Sequence, residues 1–205
     1  MAGWVEKRRL EFATARWGAR QALAELGITG FPLLPGQDRA PIWPPSIVGT
    51  ITHTDGCAGG YCGVAVADRS VTSGLGIDAE PRLPLLAELW SRVLDDGEQH
   101  EAGAAEEPGI QARLVFSAKE TTYKALYPTR KRFLEFSDVH IEARPAEGVF
   151  LASLVGEARI LCDSRQELLG RLVMDEELIV TAMVLPAGGY ALAQLPAPDR
   201  THSWA

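Results

Sequence analysis

Apolar residues recur at helical spacing over Val5–Leu26: Phe12, Ala15, Ala19, Ala22, Leu23 and Leu26 form one stripe, and Gly27 follows as a natural terminator. The pattern predicts an amphipathic helix with Arg9, Arg16 and Arg20 on another common face. Residues 28–45 carry Gly30, Pro32, Pro35, Gly36, Pro41, Pro44 and Pro45 and predict a long loop. Ile47–Thr52, Tyr61–Ala67 and Leu75–Ala79 read as strands, with Val64 and Val66 sharing a face. Leu85–Val93 reads as a helix and the acidic stretch 95–110 as a mobile connection. Arg113–Tyr127 predicts a second strong helix, stopped by Pro128. Phe136–Ile141, Val149–Leu154, Leu178–Val184 and Tyr190–Leu195 are strand-like, and the tail from Pro196 is expected to fray. Helix then strands, twice over, predicts an α+β protein of two halves, 1–105 and 106–205.

Composition narrows the function classes. The chain has 205 residues, 46% of them hydrophobic and 23% charged, which is ordinary globular usage and excludes a wholly disordered chain. Twenty Lys and Arg against 27 Asp and Glu leave a net charge of −7, which argues against a general nucleic-acid coater. No stretch approaches the roughly 18–20 uninterrupted apolar residues of a membrane span. Lys7, Arg8, Arg9 and Glu11 precede no apolar segment, so no secretory signal is expected, and Cys57, Cys62 and Cys162 predict reduced thiols in a cytoplasmic protein.

The distribution of charge says more than its sum. Residues 78–107 hold nine acidic groups against Arg82 and Arg92, whereas residues 113–132 hold six basic groups against Glu120 alone. Solvated faces of opposite sign would produce this, and so would a site that gathers a divalent metal and a small anion.

Three motifs carry candidate chemistry. In Gly76-Ile77-Asp78-Ala79-Glu80-Pro81, strand alternation puts Asp78 and Glu80 on one face, with Ile77 and Ala79 toward the core. Two hard oxygen donors at that spacing suit magnesium, and an exposed acidic strand end would look the same. In Phe116-Ser117-Ala118-Lys119-Glu120-Thr121-Thr122-Tyr123-Lys124-Ala125, Glu120 and Lys124 share a helical face. Glu120 can be a third metal carboxylate or a base and Lys124 a phosphate contact. Equally, Ser117 and Glu120 fit a capping box, and Glu120 with Lys124 fits a surface ion pair. In Trp43-Pro44-Pro45-Ser46-Ile47-Val48-Gly49-Thr50-Ile51-Thr52-His53, a histidine at a strand end can bond a phosphate or be a plain loop residue.

Taken in order, these motifs with Lys7-Arg8-Arg9-x-Glu11-Phe12 and Ala40-Pro41-x-Trp43-Pro44 make the chain resemble the 4′-phosphopantetheinyl transferases of the monomeric, two-half type. The resemblance implies two similar α+β halves related by pseudo-two-fold symmetry, with the active site in the cleft between them. It implies transfer of 4′-phosphopantetheine from coenzyme A to a serine of an apo acyl or peptidyl carrier protein, with Mg²⁺ or Mn²⁺. Asp78, Glu80 and Glu120 match the family's metal carboxylates, and Glu120 is also the candidate base. Lys124 matches the lysine beside the pyrophosphate. Thr52 and His53 match phosphate contacts. Arg9, Arg16 and Arg20, with Arg39 in the loop, lie where the family has basic groups near the 3′-phosphate. The basic run 113–132 suits an acidic carrier, and Leu85, Leu86, Leu89 and Trp90 would complete its docking surface or pack on their own core. Two rival readings share these residues: a phosphodiesterase that uses the carboxylates on water, and a non-catalytic binding module.

Overall fold

The computed structural model describes residues 2–36, 40–56, 60–161 and 167–188, with side chains from Arg9 onward. Arg39, Cys57, Cys162 and the predicted strand Tyr190–Leu195 lie outside the described residues.

Helix α1 (Ala2–Glu25) buries a narrower stripe than its apolar pattern predicts: Ala15, Ala19 and Leu23 are covered, while Phe12 and Leu26 are exposed. It packs on the hairpin of β1 (Ile47–Thr54) and β2 (Tyr61–Asp68), with Gly18 facing Val64. Gly27, at φ 77°, closes α1, and the Ile28 N–H donates back to the Leu23 carbonyl. The loop that follows is irregular, as its glycines and prolines predict, and folds back on itself through a Pro35–Pro41 bridge.

β3 (Thr72–Pro81), β4 (Val139–Arg144), β5 (Val149–Leu154), β6 (Leu168–Met174) and β7 (Leu178–Pro186) form a five-stranded antiparallel sheet in the order β3-β7-β6-β5-β4. The expected halves therefore share a sheet, because β3 from residues 72–81 is hydrogen-bonded to β7. The core lies between this sheet and α4 (Pro108–Arg130), where Leu114, Ala118 and Ala125 meet Phe150, Ile179 and Met183.

Four expectations change here. The acidic stretch after Leu94 is no loose connection: Asp95 and Glu98 form a reciprocal capping box that starts α3 (Asp96–Ala104). Its buried Glu98 is neutralised by Lys119 at 2.7 Å. Leu85–Val93 holds only a 3₁₀ turn and the short α2 (Trp90–Val93). Helix α4 starts at Pro108 and runs through Pro128 to Arg130, ending on Lys131 in the left-handed conformation at φ 51°. A helical proline removes one hydrogen bond, to the carbonyl four residues back, and here the helix survives that single loss. Phe136–Asp138 is a 3₁₀ turn before β4, and β6 was not foreseen.

The position of α4 over β3 is set by two glycines. A methyl group at Gly74 would lie 2.1 Å from the Ala125 carbonyl oxygen, and one at Gly76 would lie 2.1 Å from that of Thr121. Neither backbone can yield without lifting the helix. Gly76→Ala is expected to cost about 1–3 kcal/mol of stability by overpacking, read as a lower denaturant midpoint with an unchanged slope.

Candidate active site

The glycine contact puts helix and strand in step. Moving up β3 by two residues advances about 6.6 Å, and moving down α4 by four residues covers about 6 Å. Gly74 thus faces Ala125 and Gly76 faces Thr121. In the same order Asp78 meets Ser117 and Glu80 meets Arg113. Strand alternation supplies the even-numbered face, and the i+4 repeat of α4 supplies its complement.

Asp78, expected at an open strand end, is only 4% exposed. Its Oδ1 accepts from the Lys124 ammonium at 2.6 Å and from the Thr52 hydroxyl at 3.2 Å, and its Oδ2 accepts from Ser117 Oγ at 2.9 Å. The Lys124 ammonium also donates to the Ile77 carbonyl. Lys124 is therefore paired across to β3, neither free nor in a helical surface pair with Glu120. Ser117 lies in mid-helix, so it caps nothing.

Glu80 Oε2 accepts from Arg113 Nη1 at 2.8 Å, and Arg113 also donates to the Leu83 and Pro84 carbonyls. Glu120 has no hydrogen-bond or ion-pair partner among the described residues. Burial pushes the Glu80 carboxyl above its usual range; Asp78 adds to this, and Arg113 with Lys124 only partly offsets it. Burial likewise raises Glu120, with Lys124 opposing and Asp78 assisting.

On the far side of β3 no strand completes the ladder among the described residues. Two threonines of β1 stand in for one: the Ile77 N–H donates to Thr50 Oγ1 at 3.3 Å and the Ala79 N–H to Thr52 Oγ1 at 3.0 Å. Thr52, matched by resemblance to a phosphate contact, thus has its hydroxyl buried between β3 and Asp78. His53 is exposed at the end of β1, 3.6 Å from Glu11 of α1. Arg9 and Arg20 are exposed on α1. Arg16 is buried, its Nε donating to the Leu33 carbonyl at 3.0 Å and its guanidinium 4.3 Å over the Phe12 ring. Burial, then repulsion from Arg20, lowers its pKa. Among the described residues no ion pair joins these arginines to the Asp78 group.

Asp78, Glu80 and Glu120 suit a hard divalent cation in donor chemistry and in their shared surplus of negative charge. As the side chains stand, the three do not all lie within 4.8 Å of one another, so the expected three-carboxylate grip requires side-chain movement. Among the described residues Asp95, Glu98 and His140 do lie that close. Their atoms are already used: Asp95 and Glu98 cap α3, His140 Nδ1 lies 2.7 Å from Asp95, and the Lys119 ammonium sits against Glu98. That cluster is a hydrogen-bonded fold contact joining α3, α4 and β4.

Beside Lys124 opens a cavity of about 890 Å³ between the loop around Trp43, β1 and the last turns of α4. Arg69, Lys124 and Lys131 supply cationic groups, and Trp43, Tyr123 and Tyr127 supply aromatic walls, with no acidic side chain among the described lining residues. The Trp43 ring lies flat on Gly49, where a methyl group would come within 2.5 Å of it.

The 4′-phosphopantetheinyl transferase superfamily model matches residues 74–183, the stretch from β3 to β7 that builds this carboxylate and lysine group, and the family's N-terminal domain model matches residues 1–67. The chain belongs to the 4′-phosphopantetheinyl transferases. It is 40% identical over 190 residues to the 4′-phosphopantetheinyl transferase Svp of Streptomyces mobaraensis, covering 90% of this chain and 76% of that protein. To the 4′-phosphopantetheinyl transferase PptT of Mycobacterium tuberculosis it is 36% identical, covering 88% and 81%. Enterobactin synthase component D of Salmonella typhi is 33% identical over 122 residues, covering 58% of this chain and 48% of that protein. Phosphopantetheinyl transfer to carrier proteins is the reaction of this chain's family.

Arg113, Thr50 and Thr181 were not singled out from sequence. Arg113 had only its charge to mark it, and the two threonines act through pairings between distant stretches that no local pattern shows.

Because the Glu120 carboxyl is raised, the folded state holds its proton more tightly than the unfolded chain, and stability falls as pH rises from the ordinary carboxyl range through the raised value. Glu120→Gln is therefore expected to melt at a higher temperature than the parent transferase at pH 7–8 while losing activity. The gain should shrink as pH falls below about 4, where Glu120 is protonated in the folded and unfolded chain alike. Melting curves across that range check the sign.

Proposed function

We propose that this transferase moves 4′-phosphopantetheine from coenzyme A to a serine hydroxyl of apo acyl or peptidyl carrier proteins, with Mg²⁺, and releases adenosine 3′,5′-bisphosphate. The observation that carries the reading is the gathering of Asp78, Glu80, Glu120 and Lys124 by β3 and α4 beside a cationic, aromatic-walled cavity. Coenzyme A offers the matching features: a diphosphate for Lys124 and flat or apolar groups for the Trp43, Tyr123 and Tyr127 walls.

Phosphoryl transfer needs in-line placement and cancellation of charge more than covalent chemistry. When held by Asp78, Glu80 and Glu120, Mg²⁺ supplies that neutralisation on the diphosphate, and Mn²⁺ suits the same oxygen set. Glu120, unpartnered and with its pKa raised by burial, accepts the serine proton directly or through a water. The serine oxygen forms the new P–O bond as the bond to the adenosine-side phosphate breaks. Lys124, anchored at Asp78, donates to the departing phosphate. Arg9 and Arg20 on α1, with Arg39, supply cations for the 3′-phosphate, His53 offers a ring nitrogen to a phosphate, and Arg16 anchors α1 to the loop through Leu33.

Carrier docking falls to fewer residues than the charge run suggests. Arg113, Lys119 and Lys124 are consumed by Glu80, Glu98 and Asp78, which leaves Arg130, Lys131 and Arg132 at the end of α4 for an acidic partner. Leu85 is buried and Leu89 and Trp90 pack on the core, so Leu86 alone of that group is exposed. We also infer that the enzyme acts as a cytoplasmic monomer.

Purified protein incubated with coenzyme A, Mg²⁺ and a panel of apo carrier proteins should add the phosphopantetheine mass to at least one carrier, and chelation of the metal should stop it. Asp78→Ala, Glu120→Gln and Lys124→Ala should each lower the rate by about 10²-fold or more. A folded preparation that modifies no carrier defeats the reading, and coenzyme A cleavage without an acceptor points to the phosphodiesterase instead.

A further inference from the structure

We propose that Thr181 of β7 is a positioning residue for Asp78, acting through the Ser117 hydroxyl. The inference rests on the reading above that Asp78 is the fixed member of the metal-binding group. Thr181 is the cross-strand partner of Asp78 in the β3–β7 register, and it is fully buried. Ser117 of α4 wedges between the two: its Oγ lies 2.9 Å from Asp78 Oδ2 and 2.9 Å from Thr181 Oγ1. Behind it Thr121 Oγ1 lies 2.7 Å from Thr181 Oγ1.

Proton counting gives this chain a direction. A carboxylate only accepts, and each hydroxyl has one proton to give. Ser117 gives its proton to Asp78, so its contact with Thr181 must be donated by Thr181. The Thr181 hydroxyl has a second acceptor on Ser117, the carbonyl at 3.1 Å, and the closer Oγ at 2.9 Å is the one the relay uses. Thr121 then gives its proton to Thr181, whose Oγ1 at 2.7 Å is the closer acceptor and the one in the relay, the carbonyl lying at 3.2 Å. The relay runs one way, from Thr121 to Thr181 to Ser117 to Asp78, and hydrogen bonds in such a series polarise one another.

The relay has a task that packing alone would not require. A serine in mid-helix ordinarily turns its hydroxyl to the carbonyl one turn back, as Thr122 does here with Ala118. Thr181 occupies Ser117 from the sheet side and keeps its proton on Asp78. Oδ2 is thereby tied to the interior, and Oδ1 is the oxygen left at Lys124 and Thr52, on the side of the cavity. With the carboxylate fixed, Glu80 and Glu120 have a stationary partner to close on.

The test compares T181V, which keeps the shape and removes the hydroxyl, with T181S, which keeps the hydroxyl. Mn²⁺ is titrated into the full chain with coenzyme A present, and the free-ion electron paramagnetic resonance signal reports binding. T181V should weaken Mn²⁺ by several-fold, up to the roughly tenfold found when the direct partner of a metal ligand is removed, whereas T181S stays close to the parent. In turnover, T181V should raise the Mg²⁺ concentration for half-maximal rate by the same factor and leave the KM for the carrier unchanged. Parental Mn²⁺ affinity in T181V, with D78A unable to bind, overturns the relay and leaves the metal reading standing. Parental affinity in D78A overturns both. Should T181V fail to fold, T121V, which removes the far end of the series, decides: weakened Mn²⁺ supports the relay, and unchanged affinity overturns it.

Discussion

The backbone of α4 lies so close to β3 that neither Gly74 nor Gly76 has room for a methyl group, and the candidate site depends on that approach. A side chain at either position would hold the helix off by the thickness of a methyl group or more. Ser117, Lys124 and Arg113 would then lose hydrogen-bonding distance to Asp78 and Glu80. The apolar core contributes the bulk of the stabilisation, but these two absent side chains set the height at which helix and strand exchange polar contacts.

Charge follows from that geometry. Burying acidic groups beneath a helix is costly unless each has a partner. Here Asp78 and Glu80 take Lys124 and Arg113, and deeper in the fold Glu98 takes Lys119. Glu120, the one acidic residue of α4, is the exception: it has no hydrogen-bond or ion-pair partner among the described residues, and burial raises its pKa. The transferase thus spends three of the six cations in its most basic segment internally, and the apparent basic face shrinks to the end of one helix.

Much of this was legible in the chain. Alternation in Gly-Ile-Asp-x-Glu put Asp78 and Glu80 on a common face, helical spacing joined Glu120 to Lys124, and the ordered motifs pointed to the family that the comparisons show. Local physics also misled. The acidity of residues 95–110 masked a capping box whose Asp95 and Glu98 sit three apart in plain view, and Pro128 was taken as a stop although one missing hydrogen bond does not end a long, well-packed helix. What stayed hidden was long-range. Lys124 reaches Asp78 across 46 residues and Thr121 reaches Thr181 across 60. Neither spacing carries a local period, so only the register of α4 on the sheet reveals them.

The threonine stitches between β1 and β3 have a mechanical consequence. Adjoining strands in a sheet are usually locked by a continuous backbone ladder, whereas Thr50 and Thr52 fasten the N-terminal hairpin to β3 with two side-chain oxygens. Undoing such a fastening forfeits about 1–3 kcal/mol in all, far less than peeling a strand away. The polar part of this seam therefore rests on two hydroxyls, while the buried face of β1, packed against β3 and α1, supplies the rest of what holds the hairpin in place.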